Sequence, residues 1–446
     1  MPIRVALIST YELGRQPVHL ASPASRIRKA GHEVRTLDLA VESWDDELVD
    51  WADVVGFSTP MHTALRLATV AAERVRRRRS EIPIVAYGLY AAVAGSGGPF
   101  TRAIAGEYEE QLLEWVTSVE EGSPSAGTTT FRGRSAFIEP DRVGLPGLEH
   151  YARLEHGSRR VLVGSVEASH GCKHKCRHCP LPTVYEGRFR IVPPRIVLAD
   201  IERLVRAGAE HITFGDADFF NGPRHSVRIV EEVNRRWPQL TFDATIKVEH
   251  LKRHARDLPT LSETGCLFIV SAFEILNDRI LGILHKGHTA RDAAQAVHSV
   301  RAAGLEIRPT WLPFTPWTSL QDVADVFDFI VLHDLVDLTD PVQLSIRLLV
   351  PARSLLADQP AFLAHRGDYD RTAATYMWNS PDPSVERLAA ELARIAERGR
   401  CASGRETFIQ MRKAVLEAVG DDLGKAEALP QGATVGRPRL TEPWFC

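Results

Sequence analysis

The chain has 446 residues and a net charge of −3, with 44% hydrophobic and 25% charged residues. This length exceeds what a single hydrophobic core supports, so it predicts two or three domains. The composition is that of a globular protein, and the small net charge and lack of an apolar stretch of about 20 residues favour neither nucleic acid nor membrane.

The first 120 residues alternate apolar strands with amphipathic helices. The predicted strands cover 4–9, 33–39, 54–58 and 82–87, and the predicted helices cover 22–30 and 62–79. Such alternation predicts a parallel, doubly wound, Rossmann-like sheet, in which ligands bind beyond the carboxyl ends of the strands. The segments at two of these ends are Ser58-Thr59-Pro60 and Gly88-Leu89-Tyr90.

The rest of the chain divides into three further regions. Residues 121–160 are predicted to be a linker, because 121–135 are rich in small polar residues. Strands and helices alternate again over 161–350, and 351–446 are predicted to be mainly helical, chiefly over 383–419.

Three of the six cysteines fall within eight positions, as Cys172, Cys176 and Cys179. This clustering predicts a metal site in a reducing cytoplasm and argues against a disulfide framework. The C-x3-C-x2-C spacing supplies three thiolates from one loop, whereas a 4Fe–4S cluster normally takes four. One iron would therefore stay open to a chelating ligand, such as the amino and carboxylate groups of S-adenosylmethionine (SAM).

A structural zinc site is the alternative for this loop. Zinc prefers four closed ligands, usually from two paired knuckles. The loop offers His170, His174 or His178 as a fourth ligand, but no second cysteine pair follows, and Cys266, Cys401 and Cys446 are isolated. The spacing favours the cluster.

With these residues the chain resembles the radical SAM superfamily, over about 160–350. The resemblance implies a partial (β/α)6 barrel that carries the cluster and SAM at the carboxyl ends of its strands. His178 stands at the aromatic position before the last cysteine, which in the family packs near the SAM adenine. A one-electron donor such as flavodoxin or ferredoxin is implied as a partner.

Further motifs of the family can be placed along the barrel, and the segments 308–313 and 345–348 resemble its last two strands. The segment from Thr213 to Phe219 stands where the family has its acidic glycine-rich motif, so Gly215 and Asp216 are predicted to hold the SAM amino group, with Asp218 as substitute. Asp216 could equally cap the following helix. The other predicted contacts at strand ends are Lys247, Ser271, Glu274 and Arg347, of which Arg347 would reach the SAM carboxylate or pair with a structural acid.

The first 120 residues resemble the cobalamin-binding domain that precedes the barrel in one large subfamily. Ser58, Thr59, Gly88 and Leu89 stand at its strand ends, and Gly106 and Glu107 match the Gly-Glu-x-Glu stretch that opens its last helix. The usual D-x-H-x-x-G loop, whose histidine ligates cobalt, is absent, and His19 and His62 lie outside any such motif. Cobalamin is predicted, with a vestigial domain that only shapes the substrate pocket as the alternative.

The end of the chain, Glu442-Pro443-Trp444-Phe445-Cys446, resembles radical SAM proteins whose tail carries Cys-Cys or Cys-selenocysteine before Ala-Glu-Pro. This resemblance implies a possible selenoprotein that continues past Cys446. The alternative is a terminal cysteine that has no function.

The sequence thus predicts a cytoplasmic radical SAM enzyme that cleaves SAM to a 5′-deoxyadenosyl radical. With cobalamin, it would transfer a methyl group to an unactivated carbon of a small substrate. The alternatives are a radical SAM enzyme doing non-methylating chemistry, including selenium or arsenic chemistry, and a non-catalytic metal-binding protein.

Overall fold

The computed structural model describes residues 2–95, 98–122, 124–399, 403–430 and 436–442. Cys401 and Cys446, and with them the predicted cysteine-ended tail, lie outside these ranges. The described residues form two large sheets, one of six strands and one of seven, joined by helices. Within the described ranges, no helix combines the length and the apolar character that crossing a bilayer requires.

The first sheet is parallel throughout, as the alternation predicts, with strand order β2-β1-β3-β4-β5-β6. Its strands are β1 (Arg4–Ser9), β2 (Glu33–Asp38), β3 (Val54–Ser58), β4 (Ile84–Tyr87), β5 (Arg102–Gly106) and β6 (Gly127–Phe131). Helices pack on both faces, because the strands are buried on both sides in two separate apolar cores.

Strand β6 lies inside the stretch that the sequence predicts as a loop. Its register pairs Gly106 with Phe131 and Ala105 with Thr130. The β-branched run Thr128–Thr130 suits a strand, and Gly127 begins it with a backbone φ of +101°. The prediction of a loop over 121–135 is therefore wrong for its middle part, because small polar residues at a sheet edge resemble loop residues.

The helices of this half are α1 (Val18–Lys29), α2 (Asp46–Trp51), α3 (His62–Arg78), α4 (Ala91–Ala94) and α5 (Tyr108–Glu120). Helix α3 follows the predicted range to within one residue. Helix α1 begins four residues before the predicted start, at the residue after Pro17.

The second sheet contains five parallel strands in the order β14-β13-β12-β11-β8, extended by two short antiparallel strands, β7 and β17. Their bounds are β7 (Arg153–His156), β8 (Arg159–Val166), β11 (His211–Phe214), β12 (Thr241–Thr245), β13 (Cys266–Glu274), β14 (Glu306–Trp311) and β17 (Arg439–Leu440). A small separate sheet pairs β9 (Ser169–Gly171) with β10 (Phe189–Ile191). The architecture is a partial barrel, as predicted.

The predicted sixth barrel strand, 345–348, is reduced to one bridge. Phe314 pairs with Arg347 alone, through hydrogen bonds from the Phe314 N–H to the Ile346 carbonyl and from the Leu348 N–H to the Phe314 carbonyl. A 3-10 turn occupies Pro341–Ser345. Proline donates no ladder hydrogen bond, so Pro313 and Pro351 limit pairing on either side.

The helices around the barrel bury the main core of the molecule against one face of its sheet. They are α6 (Leu181–Tyr185), α7 (Pro194–Arg206), α8 (Pro223–Arg236), α9 (Val248–Arg253), α10 (Leu258–Glu263), α11 (Asp278–Leu284), α12 (Ala290–Ala302) and α13 (Leu320–Leu332). On the opposite face, Val161, Val163, Phe268 and Val270 form a second, smaller core.

The carboxyl-terminal region holds α14 (Pro360–Leu363), α15 (Pro383–Arg398) and α16 (Gly404–Val419), and the last two match the predicted helical stretch. A hairpin of β15 (Arg366–Asp370) and β16 (Thr375–Trp378) precedes them and was not predicted. Ala374, at its turn, packs into a core of the first sheet, so this region contacts both halves of the molecule. The division into 1–120, 121–160, 161–350 and 351–446 stays a prediction.

Candidate active site between the two sheets

The three cysteines lie on one loop between β9 and α6, beyond the carboxyl end of the first parallel barrel strand, β8. Cys176 is buried, and Cys172 and Cys179 are half-buried. Burial raises the pKa of Cys179 to about 12, with smaller contributions from Cys176 and Cys172. The nearby Lys286 ammonium acts in the opposite direction, as a group that stabilises thiolates would.

The spacing of the sulfur atoms bears on the zinc alternative. Two thiolates on one zinc lie at most about 4.6 Å apart, because each Zn–S bond is about 2.3 Å. Among the described residues, only His174, Asp218 and His250 bring three ligand atoms within 4.8 Å of one another, so the three cysteines do not. The three thiols are therefore not gathered as closely as a single zinc ion requires, which favours the 4Fe–4S cluster.

The His174, Asp218 and His250 side chains lie close together, and hydrogen bonds connect His174 to Lys247 and to His250. Lys247 Nζ lies 3.1 Å from His174 Nδ1 and donates to it, because an ammonium has no lone pair to accept with. The proton of His174 is then on Nε2, which donates to His250 Nε2 at 3.0 Å. His250 Nδ1 in turn lies 2.6 Å from Asp218 Oδ2.

This direction of donation uses the Nδ1 lone pair of His174 and the Nε2 lone pair of His250. Burial and Lys247 lower the pKa of His174 to about 4, in agreement with a neutral ring. The chain of contacts fixes His174, which stands between two of the cysteines. Asn221 also accepts from the Lys173 N–H at 3.2 Å, so the cysteine loop is held at two adjacent residues.

His178 lies beside the end of β13, and its predicted place near the SAM adenine stays a prediction. Its Nε2 contacts Glu274 Oε1 at 3.1 Å, and the same oxygen accepts from Lys286 Nζ at 2.8 Å. Burial alone would raise the pKa of Glu274, but Lys286 and His178 hold it well below its usual range. Glu274 has a left-handed φ of +66°, so the strand turns at the residue that joins these two groups.

Asp216 and Asp218 accept hydrogen bonds from different segments of the chain. Asp216 is buried and accepts from the Ala168 N–H at 2.9 Å and the Ser169 hydroxyl at 2.5 Å, and burial raises its pKa to about 7. Asp218, not Asp216, caps the following 3-10 turn, through the Phe220 N–H at 3.1 Å. The predicted contact of Asp216 with the SAM amino group stays a prediction.

Two predicted residues lie away from this cluster of side chains. Arg347 pairs with Glu386 of α15 at 2.6 Å and stacks on Trp378, which is the structural alternative of the two predicted for it. Ser271 is fully buried on the same strand face as Ile269 and Phe273, which pack in the main core against the helices. This placement does not favour its predicted contact with SAM.

The strand ends of the first sheet meet those of the barrel at a cavity of about 220 Å³. Leu89 and Gly106, both predicted from the sequence, line it with Pro60 and Met61, and the barrel contributes Ser169, Gly171 and Gly215. Ser58 and Thr59 are buried beside it, and the Thr59 hydroxyl donates to the Tyr87 carbonyl at 2.9 Å. Gly88, at φ +110°, lets the chain turn close to the Thr59 backbone.

Glu107 connects the two halves. It follows β5 and is almost fully buried, yet its two oxygens contact His170 Nδ1 at 3.2 Å and the Arg190 guanidinium. Both partners belong to the small sheet of β9 and β10 that flanks the cysteine loop. Glu107, which the sequence predicts to bind a cofactor, therefore connects the first sheet to the small sheet beside the cysteine loop.

Sequence reasoning missed the charged residues in this cavity. His19 contacts Glu12 at 3.1 Å and lies 3.8 Å from Glu167, which also pairs with His170 at 3.3 Å. The sequence indicates only that Glu12 and Glu167 follow β1 and β8 by a few residues. His19 lies outside the cobalt-binding motif, and the structure places it in this buried network.

The pairing of His19 gives a pH-dependent contribution to stability. Burial would lower its pKa, but Glu12 and Glu167 raise it to about 9. Because the pKa of His19 is higher in the folded state, its contribution to stability is fully present below the unfolded pKa of about 6.5. This contribution is lost as pH rises through about 9. We expect the parent protein to lose about 3 kcal/mol of unfolding free energy over that range through this group, and His19→Gln to lose less. Denaturant unfolding at both ends of the range measures this, and equal losses in both proteins would contradict it.

Comparison with known proteins is consistent with this arrangement. Residues 166–330 match the family model described as the Radical SAM superfamily. The chain is 24% identical over 327 residues to a hopanoid C-3 methylase of Methylococcus capsulatus, covering 68% of this chain and 62% of that one. It is 23% identical over 154 residues to a hopanoid C-2 methylase of Rhodopseudomonas palustris. The chain thus spans less than two thirds of either relative, 62% and 29%.

Solved structures share the fold over most of the chain. The radical SAM methyltransferase TsrM of Kitasatospora setae, with tryptophan and a SAM analogue bound, aligns with a TM-score of 0.64 over 88% of this chain and 89% of that one, at 16% identity. The cobalamin-dependent radical SAM enzyme OxsB with aqua-cobalamin gives 0.66 over 92% of this chain and 68% of that one, at 13% identity. Residues 166–330 therefore match a radical SAM domain, and most of the chain shares the fold of the radical SAM enzymes TsrM and OxsB.

Proposed function

We propose that this protein is a cobalamin-dependent radical SAM methyltransferase that acts on an unactivated carbon of a small molecule. The observation that carries the proposal is the cavity where the strand ends of a Rossmann-like sheet face those of a radical SAM barrel. A carrier held by the first sheet and a radical generated at the barrel would meet there.

Cys172, Cys176 and Cys179 are the residues proposed to hold a 4Fe–4S cluster, the cofactor that enzymes of this superfamily use with SAM. When reduced, such a cluster supplies the electron that cleaves SAM to methionine and a 5′-deoxyadenosyl radical. The protein places Lys286 near these thiols, and Glu274 holds that ammonium in a buried pair. This cation partly opposes the effect of burial, which raises the pKa of Cys179.

SAM would lie beside the cysteine loop, along the ends of β11, β12 and β13. His178 has a buried Nδ1 with no partner in the described structure, and so has His288, whose Nε2 contacts the Phe273 carbonyl. Orphaned buried polar atoms are uncommon and indicate a missing partner. Lys247 and Glu274 stand at the same edge, and their direct contact with SAM remains part of the proposal.

Cobalamin would be held by the first sheet, where it supplies a methyl carrier. The edge that faces the cavity offers Pro60, Leu89 and Gly106, which are small or apolar as the face of a corrin ring requires. His19 stands near this edge but is held by Glu12 and Glu167. His19 is therefore not proposed as a cobalt ligand.

Anaerobic reconstitution with iron, sulfide and hydroxocobalamin, followed by reduction and addition of SAM, tests the proposal. We expect bound cobalamin after gel filtration and formation of 5′-deoxyadenosine. Radical chemistry without retained cobalamin would instead support a vestigial first domain and non-methylating chemistry. A protein that binds metal and never cleaves SAM, with electron donor and substrates varied, would be a non-catalytic metal protein.

A further inference from the structure

Arg15 extends from the loop after β1 into the cavity between the two sheets. It lines this cavity together with Ser165, Gly215 and Ala217 of the barrel. One guanidinium nitrogen, Nη1, lies 3.5 Å from the point where a Cβ on Gly215 would stand. The side chain therefore reaches from the first half of the molecule to the turn after β11, which carries the predicted SAM-binding motif.

Within the described part of the chain, the Arg15 side chain has no hydrogen bond and no ion pair. Its Nε is inaccessible to solvent and has no partner. Burial lowers the pKa of this guanidinium, although Asp243, Glu12 and Glu167 partly oppose the effect through space. Arginine offers five donors in a rigid fork, so a half-buried arginine with an inaccessible, unpartnered Nε is an unusual feature that calls for a ligand.

The carboxylates around Arg15 are already engaged with other cations. Glu12 contacts His19, and Glu167 lies near both His19 and His170. Among the described residues, neither carboxylate has an oxygen within 4 Å of an Arg15 side-chain nitrogen, so no ion pair forms. The positive charge of Arg15 is therefore left for a molecule that enters the cavity.

We propose that Arg15 binds an oxyanion, a carboxylate or phosphate, on the molecule that this enzyme modifies. The proposal rests on the function proposed above and names the substrate class. A planar guanidinium pairs with an oxyanion through two parallel hydrogen bonds, which give both affinity and orientation. Its position over Gly215 lets it hold the charged end of a substrate while the carbon to be modified lies nearer the cysteine loop.

SAM is the second possible source of a carboxylate in this cavity. A cluster with three thiolate ligands has an open iron that the amino and carboxylate groups of SAM would chelate. That carboxylate would then be committed to iron, which leaves Arg15 for the substrate. The experiment must separate the two sources.

Calorimetric titration of the reconstituted protein with inorganic phosphate and with benzoate, in the presence and absence of SAM, tests this assignment. Arg15→Met removes the fork, Arg15→Lys keeps the charge, and Arg203→Met is the matched control, because Arg203 pairs with Glu139 on the surface. We expect at least one anion to bind the parent protein while SAM is present. Its Kd should rise at least about tenfold in Arg15→Met, change less in Arg15→Lys, and stay unchanged in Arg203→Met.

Several results would overturn the inference. They are binding of neither anion to the parent protein, an anion Kd that Arg15→Met leaves unchanged, and displacement of the anion by SAM together with weaker SAM binding in Arg15→Met. The last result would assign the oxyanion to SAM. Should Arg15→Met not fold, the comparison of Arg15→Lys with the parent protein decides the question.

Measurement of 5′-deoxyadenosine in the same samples separates this inference from the proposed function. Cleavage of SAM without Arg15-dependent anion binding would remove the inference and leave the function standing. Arg15-dependent binding without any SAM cleavage would remove the function, while the anion site itself would remain.

Discussion

Replacing Cys176 with alanine is expected to abolish both cluster assembly and SAM cleavage. Cys176 is the most buried of the three loop cysteines, with 8% of its surface exposed. Two remaining thiolates from one loop are too few to hold a cube that normally takes four. The variant should keep little iron and sulfide after reconstitution, lose the visible absorbance of the cluster, and form no 5′-deoxyadenosine above background.

Cys266→Ala is the matched control for this experiment. Cys266 is equally buried, but it begins β13 and packs in the main core away from the loop. Removal of one sulfur from a core costs about 1–2 kcal/mol and should leave iron content and SAM cleavage intact. A Cys176→Ala protein with normal iron content would disprove the assignment of this loop to the cluster.

Gly106→Ala is expected to have the second large effect, on the stability of the first sheet and on cobalamin retention. Gly106 has a φ of +90°, and a Cβ added there would lie 2.0 Å from the Phe131 carbonyl oxygen. Phe131 is its register partner in β6, so the contact is backbone against backbone and cannot be relieved by a rotamer change. We expect a loss of about 3 kcal/mol or more in unfolding free energy, from strain at positive φ and overpacking together.

Gly122→Ala measures the cost of an alanine at positive φ without any steric contact. Gly122 has a φ of +73°, but no atom lies within 4 Å of an added Cβ. It should therefore lose only about 1 kcal/mol and retain cobalamin as the parent protein does. Equal losses of stability in the two variants, measured by denaturant unfolding, would show that the close approach to Phe131 has no effect of its own.

The first sheet was predictable because most of its strands are apolar runs bounded by turn residues. Strands β1 and β3 match the predicted ranges residue for residue, and α3 ends one residue early. Both faces of such a sheet are buried, so its strands differ clearly from the helices between them. Strand β6 could not be recognised in this way, because an edge strand of threonines has no apolar signal.

The cysteine loop was also predictable, because its three thiols are close together in sequence. Arg347 shows the opposite case. Its partner Glu386 lies 39 positions away in a helix whose packing on the barrel no local pattern specifies. The reduction of the sixth strand to one bridge has a similar origin, because 345–348 are apolar enough for a strand while the flanking prolines limit the pairing.

The charged network of the cavity could not be predicted, because its members come from both halves of the chain. Glu12 and His19 follow β1, while Glu167 and His170 follow β8, about 150 positions later. Each of these residues alone is typical of a solvated loop. They are brought together because both sheets present the carboxyl ends of their parallel strands to the same cavity.

The short strand β17 gives the molecule an unusual connection between distant parts of its chain. Leu440 pairs with Leu154, and Glu442 accepts a hydrogen bond from the Tyr11 hydroxyl across 431 positions. The entropy lost on closing a loop grows only with the logarithm of its length, so holding such remote segments together costs little more than closing a loop half as long. Contacts between such distant positions raise the contact order of the chain, which slows folding. The loop that carries Arg15 thus owes part of its final environment to residues from the other end of the described chain.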